Sequence, residues 1–260
     1  MNLGPHLSFL RELFYFLPLP GRTPEEWTDI KRAAADRPTV ILVSGFGASE
    51  RALSVMRKRL LKDEYNVFVL ALDWHSLSDG VKGLYVMVER LSSLILSLRK
   101  QTAFRKNKIY IVAHSAGGLV ARHYIQRLGG SHYCDGLITL ATPHNGTWFA
   151  GLGLLTHLIL KARCLLQMLP FSPFIKHLKH APYPPGFRLL NIYSMHDFLC
   201  PEKATVLPQL VYADDQVKTF GIDHLSHGDF LLSKKPYEQV RQFLSHENSH
   251  RTKEQIQQQR

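Results

Sequence analysis

The stretch from Ile109 to Gly118 reads IYIVAHSAGG, a run of β-branched and aromatic residues that ends abruptly in a His-Ser pair followed by small residues. This is the pattern of a buried strand that meets a sharp turn and opens a helix, with Ala113, Ala116, Gly117 and Gly118 leaving room where the backbone folds back. Ser115, at the centre of that turn, is a candidate nucleophile. A hydroxyl is a weak nucleophile by itself, so it needs a base to take its proton and an acid to orient that base.

Both partners belong on loops just after later strands. Asp197, in Ser-Met-His-Asp-Phe-Leu-Cys-Pro, follows the strand pattern Leu189 to Tyr193, and His224, in Gly-Ile-Asp-His-Leu-Ser-His, comes just after the strand that ends at Ile222. The expected set is Ser115, Asp197 and His224, with His227 as the alternative base and Asp214 and Asp215 as rivals for the acid. His114 and His144 flank the serine and the following loop, where packing and loop hydrogen bonding are their expected roles; His196, beside the acid, is expected to be exposed. An oxyanion would need two amide donors. The Ala116 N–H at a helix N-terminus is one, and the Phe46 N–H in Ser44-Gly45-Phe46, after the first strand, is the other.

The elements that must position these residues alternate. Strand patterns at Thr39 to Val43, Val67 to Leu72, Ile109 to Ala113 and Gly136 to Ala141 are separated by helical patterns, the last two of them at about 81–98 and 117–128. That rhythm implies an α/β fold, a mostly parallel sheet with helices on both faces, binding its ligands at the carboxyl ends of the strands. Residues 147–186 break the rhythm. They are apolar, Pro-rich at their end and without a carboxylate, and are read as a helical cap or lid inserted into the core. The core is therefore 38–146 and 187–245, preceded by an extension at 1–37 and followed by a polar tail at 246–260. In the extension Leu7, Leu10, Phe14 and Leu17 follow helical spacing, which predicts an amphipathic helix. The tail is expected as a frayed helix or a disordered segment, after a last helix ending near Leu244.

With a net charge of +11, an anionic partner must be considered, but the cations are scattered and no nucleic-acid-binding motif accompanies them, so no nucleic acid is expected. A lipid surface fits the charge as well, through the N-terminal helix and the cap cations Lys161, Arg163, Lys176 and Lys179. Cys134, Cys164 and Cys200 are odd in number and far apart, which suits reduced structural thiols in a cytoplasmic protein. No signal peptide or membrane-spanning run is recognised, and no metal or cofactor is called for.

Taken together, these motifs resemble those of the α/β-hydrolases, and within them of lipases and esterases. Ala113-His114-Ser115-Ala116-Gly117 resembles the nucleophile elbow in the Ala-first version of Bacillus-type lipases, and Leu42 to Gly47 resembles the oxyanion loop, with Ser44 where histidine is usual. Ala141 to Gly146 looks like the Thr-Pro-His-x-Gly segment that precedes a lid, while Asp197 with Cys200-Pro201, and Gly221 to Leu225, resemble the segments that hold acid and base. The resemblance spans residues 39 to 245 and implies a serine hydrolase of carboxylic, lipid-like esters working through an acyl-enzyme. Acyl transfer or phospholipase action by the same triad, and a silent lipid- or protein-binding scaffold, are the alternatives. In the cap Trp148, Phe149 and Leu155 are expected to meet an apolar acyl chain.

Overall fold

The computed structural model describes residues 34–46, 50–71, 83–152, 163–207 and 217–258. Its first half consists of Thr39–Val43 (β1), Glu50–Lys62 (α1), Asn66–Leu70 (β2), Leu84–Lys100 (α2), Ile109–His114 (β3), Ala116–Arg127 (α3) and Gly136–Leu140 (β4). After the short helices Arg163–Gln167 (α4) and Pro173–Lys179 (α5) come Arg188–Ser194 (β5), Glu202–Thr205 (α6), Val217–Ile222 (β6), Asp229–Leu232 (α7) and Lys234–Gln258 (α8). All six strands join one parallel sheet in the order β2-β1-β3-β4-β5-β6.

β1 and β3 are buried along their whole length because helices cover both faces, and the two-residue period of a strand sorts their side chains between two cores. Ile41, Val43, Ile109 and Ile111 pack with Leu91 and Ile95 of α2 and Leu119 and Val120 of α3. Val40, Leu42, Tyr110 and Val112 face the other way, toward Leu53, Met56 and Leu60 of α1 and Val240 and Leu244 of α8. β6, which ends the sheet, is mostly exposed and carries Lys218.

The register brings the strand ends into line. Val43 lies beside Ala113, His114 beside Leu140, Leu140 beside Ile192, and Ser194 beside Ile222. The loops that follow β1, β3, β4, β5 and β6 therefore leave the same edge of the sheet. The chain builds from β1 outward to β2 and then crosses to β1's other side with β3, so the loops after β1 and β3 part at a topological switch point.

The described parts of 147–186 are the 3₁₀ turn Trp148–Leu152, α4 and α5. Ser172 caps α5 by accepting the Ile175 N–H at 3.2 Å, with Pro173 at the first helical position. Phe174, Ile175 and Leu178 are buried, and the segment is tied to α3 by Arg122 to the Leu178 carbonyl (3.2 Å) and Arg127 to the His177 carbonyl (2.6 Å). At the other end of the chain, α8 continues past Leu244 to Gln258. Its polar extension contains no Gly or Pro and is made largely of Glu, Lys, Arg and Gln, which prolong a helix once a packed segment has nucleated it. The amphipathic helix expected within residues 1–17, and Asp214, Asp215, Leu155 and Lys161, lie outside the described residues. Among the described residues no helix is long and apolar enough to cross a membrane.

α3 starts so close to β1 that Gly117 has no room for a side chain: a Cβ there would lie 2.4 Å from the Ser44 carbonyl oxygen and 2.8 Å from that of Val43. Gly117→Ala should therefore cost about 1–3 kcal/mol in denaturant unfolding. Gly151→Ala, whose Cβ would meet its nearest neighbour at 3.9 Å, is the control expected to stay close to the parent.

Candidate active site

Ser115 sits between β3 and α3 with φ 52° and ψ −126°, a conformation that a residue with a side chain adopts only under constraint. Its N–H donates to the Leu140 carbonyl at 2.8 Å, and its own carbonyl accepts the Gly118 N–H at 3.0 Å. The turn thus lifts the Ser115 side chain off the end of the sheet and starts α3 at Ala116. Gly45, in the loop after β1, comes so near that an added Cβ would stand 2.8 Å from the Ser115 Cβ. The residues expected to supply oxyanion amides, Phe46 and Ala116, therefore flank the serine in the chain segments on either side of it.

Asp197 is buried in the loop after β5, and its carboxylate is satisfied at both oxygens. Oδ1 accepts the N–H groups of Leu199 (3.0 Å) and Cys200 (2.9 Å), and Oδ2 faces His227 Nδ1 at 2.7 Å. The same loop is fastened to the segment after β4: Thr147 Oγ1 donates to the Leu199 carbonyl at 2.7 Å, and the Asn145 N–H to the Ala204 carbonyl at 2.8 Å.

His227, not His224, is the histidine brought to the acid. The chain turns at His224, where φ is 59°, and its N–H donates to His196 Nδ1 at 3.3 Å while the two exposed rings lie tilted against each other with centroids 4.6 Å apart. That left-handed turn directs His224 to the surface and Leu225 to the core, and the chain then re-enters at His227. Two contacts hold the return. Ser226 donates through both N–H (3.1 Å) and Oγ (2.7 Å) to Asp229 Oδ2, and His114 Nε2–H donates to the His227 carbonyl at 2.9 Å. His224, the histidine nearest the strand, does not reach Asp197 for a simple reason: distance along a loop says nothing about the direction of a side chain after a left-handed residue.

The electrostatics of the two buried histidines diverge. Burial lowers the pKa of His114 to about 3, helped by the neighbouring charge on His227 and opposed by the hydrogen bond to the His227 carbonyl. His114 is thus neutral with its proton on Nε2, and its Nδ1 has no hydrogen-bond partner among the described residues. For His227, burial is again the largest effect and opposes charge, but Asp197 and Cys200 together outweigh it and hold the imidazole well above its ordinary range.

His144 is placed at a distance from this chemistry. It is buried and neutral, kept so by burial and by the charge of Arg122. Its Nδ1 accepts from Arg122 (3.3 Å) and its Nε2–H points to Asn191 Oδ1 (3.3 Å) and Thr139 Oγ1 (3.2 Å). Sequence reasoning missed this fully buried Arg122, an unremarkable basic residue on a helix until its surroundings are seen. It also read Cys200, though in the segment of Asp197, only as a reduced structural thiol. In the fold Cys200 is buried within hydrogen-bonding reach of both His227 and Ser115. Asp197, Cys200 and His227 form a group whose potential ligand atoms lie within 4.8 Å of one another.

Ser115 and His227 open on one cavity of about 310 Å³, whose apolar wall includes Phe46, Pro143, Phe149, Ala150, Leu165 and Met168. Phe149 and Thr147 also border a wider depression of about 700 Å³ that carries Trp148, Met195, Phe198, Lys179 and Lys203. Trp148 and Phe198 are 71% and 77% exposed there.

Comparison with known proteins bears on the fold. A Bacillus licheniformis lipase, BlEst2 in mature form, superposes with a TM-score of 0.62 at 16% identity, covering 85% of this chain and 96% of its own. A Pyrococcus furiosus esterase gives 0.62 at 15% identity over 88% and 95%, and a Paleococcus ferrophilus monoacylglycerol lipase 0.58 at 15% over 82% and 96%. The fold is that of the α/β-hydrolases. Residues 36–164 of the chain also match the family described as "Putative serine esterase (DUF676)", a stretch that includes β1, the Gly45 loop and the Ser115 elbow. Among curated proteins nothing matches the chain.

NMR titration of the ring nitrogens checks the divided electrostatics of this site. His114 should stay neutral down to about pH 3, while His227 should hold its second proton above the ordinary histidine value of about 6.5. A His114 that titrates like an exposed histidine contradicts the packing.

Proposed function

We propose that the protein is a serine hydrolase of carboxylic esters, and that Ser115, His227 and Asp197 carry the reaction. The observation that supports this most strongly is the juxtaposition of the strained Ser115 turn with a buried Asp197–His227 pair on one apolar cavity. His227, oriented by the bond from its Nδ1–H to Asp197, takes the Ser115 proton on its other ring nitrogen as Oγ attacks the ester carbonyl carbon. The Phe46 and Ala116 amides receive the negative charge that develops on the carbonyl oxygen. His227 then gives its proton to the leaving alcohol; in the second half His227 takes a proton from the water that attacks the acyl-enzyme and gives it to Ser115 Oγ as the carboxylic acid leaves.

A lipid-like ester is the substrate class this surface favours. The cavity beside Ser115 is walled mainly by apolar side chains, and the adjoining depression exposes Trp148 and Phe198 beside Lys179 and Lys203. An acyl chain would occupy the first, and the rim of aromatics and cations suits contact with an anionic lipid surface.

Ser115→Ala and His227→Gln should each lower kcat for an ester by at least ~10³, whereas His224→Gln should stay within about twofold of the parent. Steady-state kinetics on folded variants, with fluorophosphonate labelling of Ser115, measure this. Equal loss at His224 would return the base to that residue.

The pH profile supplies a second check. Ester cleavage needs His227 without its second proton, so kcat/KM should fall as pH drops through the raised pKa of His227. Asp197→Asn removes the anion that raises it and leaves burial to lower it, so the limb should move to lower pH while the rate falls by ~10⁴.

Chain-length preference is a third. In a series of p-nitrophenyl esters, kcat/KM should rise from acetyl to medium-chain acyl groups, and Phe149→Ala should flatten the rise. A maximum at acetyl that Phe149→Ala leaves alone would count against an acyl chain in this cavity.

A further inference from the structure

The triad loop carries a third kind of donor atom that ester hydrolysis does not use. Asp197 and Cys200 are separated by one turn of loop, and that turn is rigid because the Leu199 and Cys200 N–H groups both donate to Asp197 Oδ1 at 3.0 and 2.9 Å. The Cys200 thiol is thereby held against His227, which arrives from the loop after β6. A carboxylate oxygen, a thiol sulfur and an imidazole nitrogen thus converge, all buried and within 4.8 Å of one another.

We propose that Asp197, Cys200 and His227 bind a divalent cation of the zinc class, and that its occupancy switches the site off. The mixed S, N and O set suits zinc and disfavours magnesium and calcium, which take oxygen ligands. Three protein ligands leave one tetrahedral position, and Cys200 also lies within reach of Ser115 at the apolar cavity, so that position faces the open side of the site. The cavity is the route by which a hydrated ion reaches the ligands.

The coordination step balances without any change of oxidation state. A zinc–sulfur bond forms as the Cys200 thiol proton passes to solvent, Asp197 contributes a carboxylate lone pair, and His227 contributes a ring nitrogen. Asp197 Oδ2 faces Nδ1, so an ion that takes both ligands binds at Nδ1 and replaces the hydrogen bond that orients the ring. The remaining ring proton then sits on Nε2, which can no longer accept the Ser115 proton, and the base is lost. Inhibition rests on the serine-hydrolase reading above, whereas metal binding does not.

The test uses full-length protein, freed of metal by chelator and kept reduced with a phosphine. Titration with cobalt(II) should give one-to-one binding with a thiolate-to-cobalt charge-transfer band. Cys200→Ser should abolish that band, and His227→Gln should weaken cobalt binding at least about tenfold. Cys134 and Cys164, buried elsewhere, serve as internal controls whose replacement by Ser should change nothing. In parallel, zinc should inhibit ester turnover by the parent protein, chelator should restore it, and Cys200→Ser should retain its own metal-free rate when zinc is added. Absence of a cobalt–thiolate band, or a band that survives Cys200→Ser, overturns the site. Binding at Cys200 with undiminished ester turnover overturns the switch. If metal-free protein cleaves no ester and Ser115 takes no fluorophosphonate, the function proposed above fails while the cobalt titration still decides the site.

Discussion

The left-handed backbone of Ser115 is possible only because three segments close on it. β1 delivers the Gly45 loop so close that a Cβ added there would stand 2.8 Å from the Ser115 Cβ, α3 abuts the Val43 and Ser44 carbonyls through Gly117, and β4 receives the Ser115 N–H at Leu140. A strained residue persists where its surroundings over-determine it, and here the surroundings are the central strands of the sheet, buried on both faces. The helices α1, α2, α3 and α8 matter to the site in this sense: by covering the sheet they make its carboxyl edge rigid enough to hold one hydroxyl in an unfavourable turn.

A second constraint lies beneath the loops. Arg122 is buried on α3 with its guanidinium spread over the His144 ring and carbonyl, the Leu178 carbonyl and Gln126 Oε1. His144 passes the network to Thr139 and Asn191, and Asn191 Nδ2 donates to the Thr205 carbonyl at 3.0 Å. No carboxylate takes part in these contacts; the charge is met by neutral acceptors on His144 after β4, Leu178 of α5 and Gln126 one turn along α3. Loss of any one would leave a buried donor unmatched, which costs more than the bond itself is worth. The network therefore locks α3, the segment after β4, the segment around α5 and the loop of Asp197 into one relative position.

Asp197 and His227 depend on each other under the same burial that would silence them separately. His227 in an apolar site would stay neutral and unoriented, and Asp197 would be costly to bury as an anion. Paired at 2.7 Å, with two amides on the far carboxylate oxygen, the anion is satisfied and the imidazole is oriented. His114 completes the arrangement from the elbow side, since its neutral ring donates to the His227 carbonyl and ties the His227 loop to the strand that ends at Ser115.

Most of the sheet and its order of elements were legible in the amino-acid sequence, because buried parallel strands are continuous apolar runs and the spacing between them is short. The turn at Ser115 was legible too, since a strand ending in His-Ser followed by Ala-Gly-Gly has few other uses for its small residues. Asp197 could be placed on the right loop for the same reason, by its position after a strand. The choice of His227 over His224, the approach of Cys200 to Ser115, and the burial of Arg122 were decided by tertiary structure alone. Each depends on the direction a side chain takes after its loop has turned and met a loop from another strand. A local pattern records where a loop begins; only the packed chain, with His224 at φ 59° and His227 held by His114, determines which way it looks.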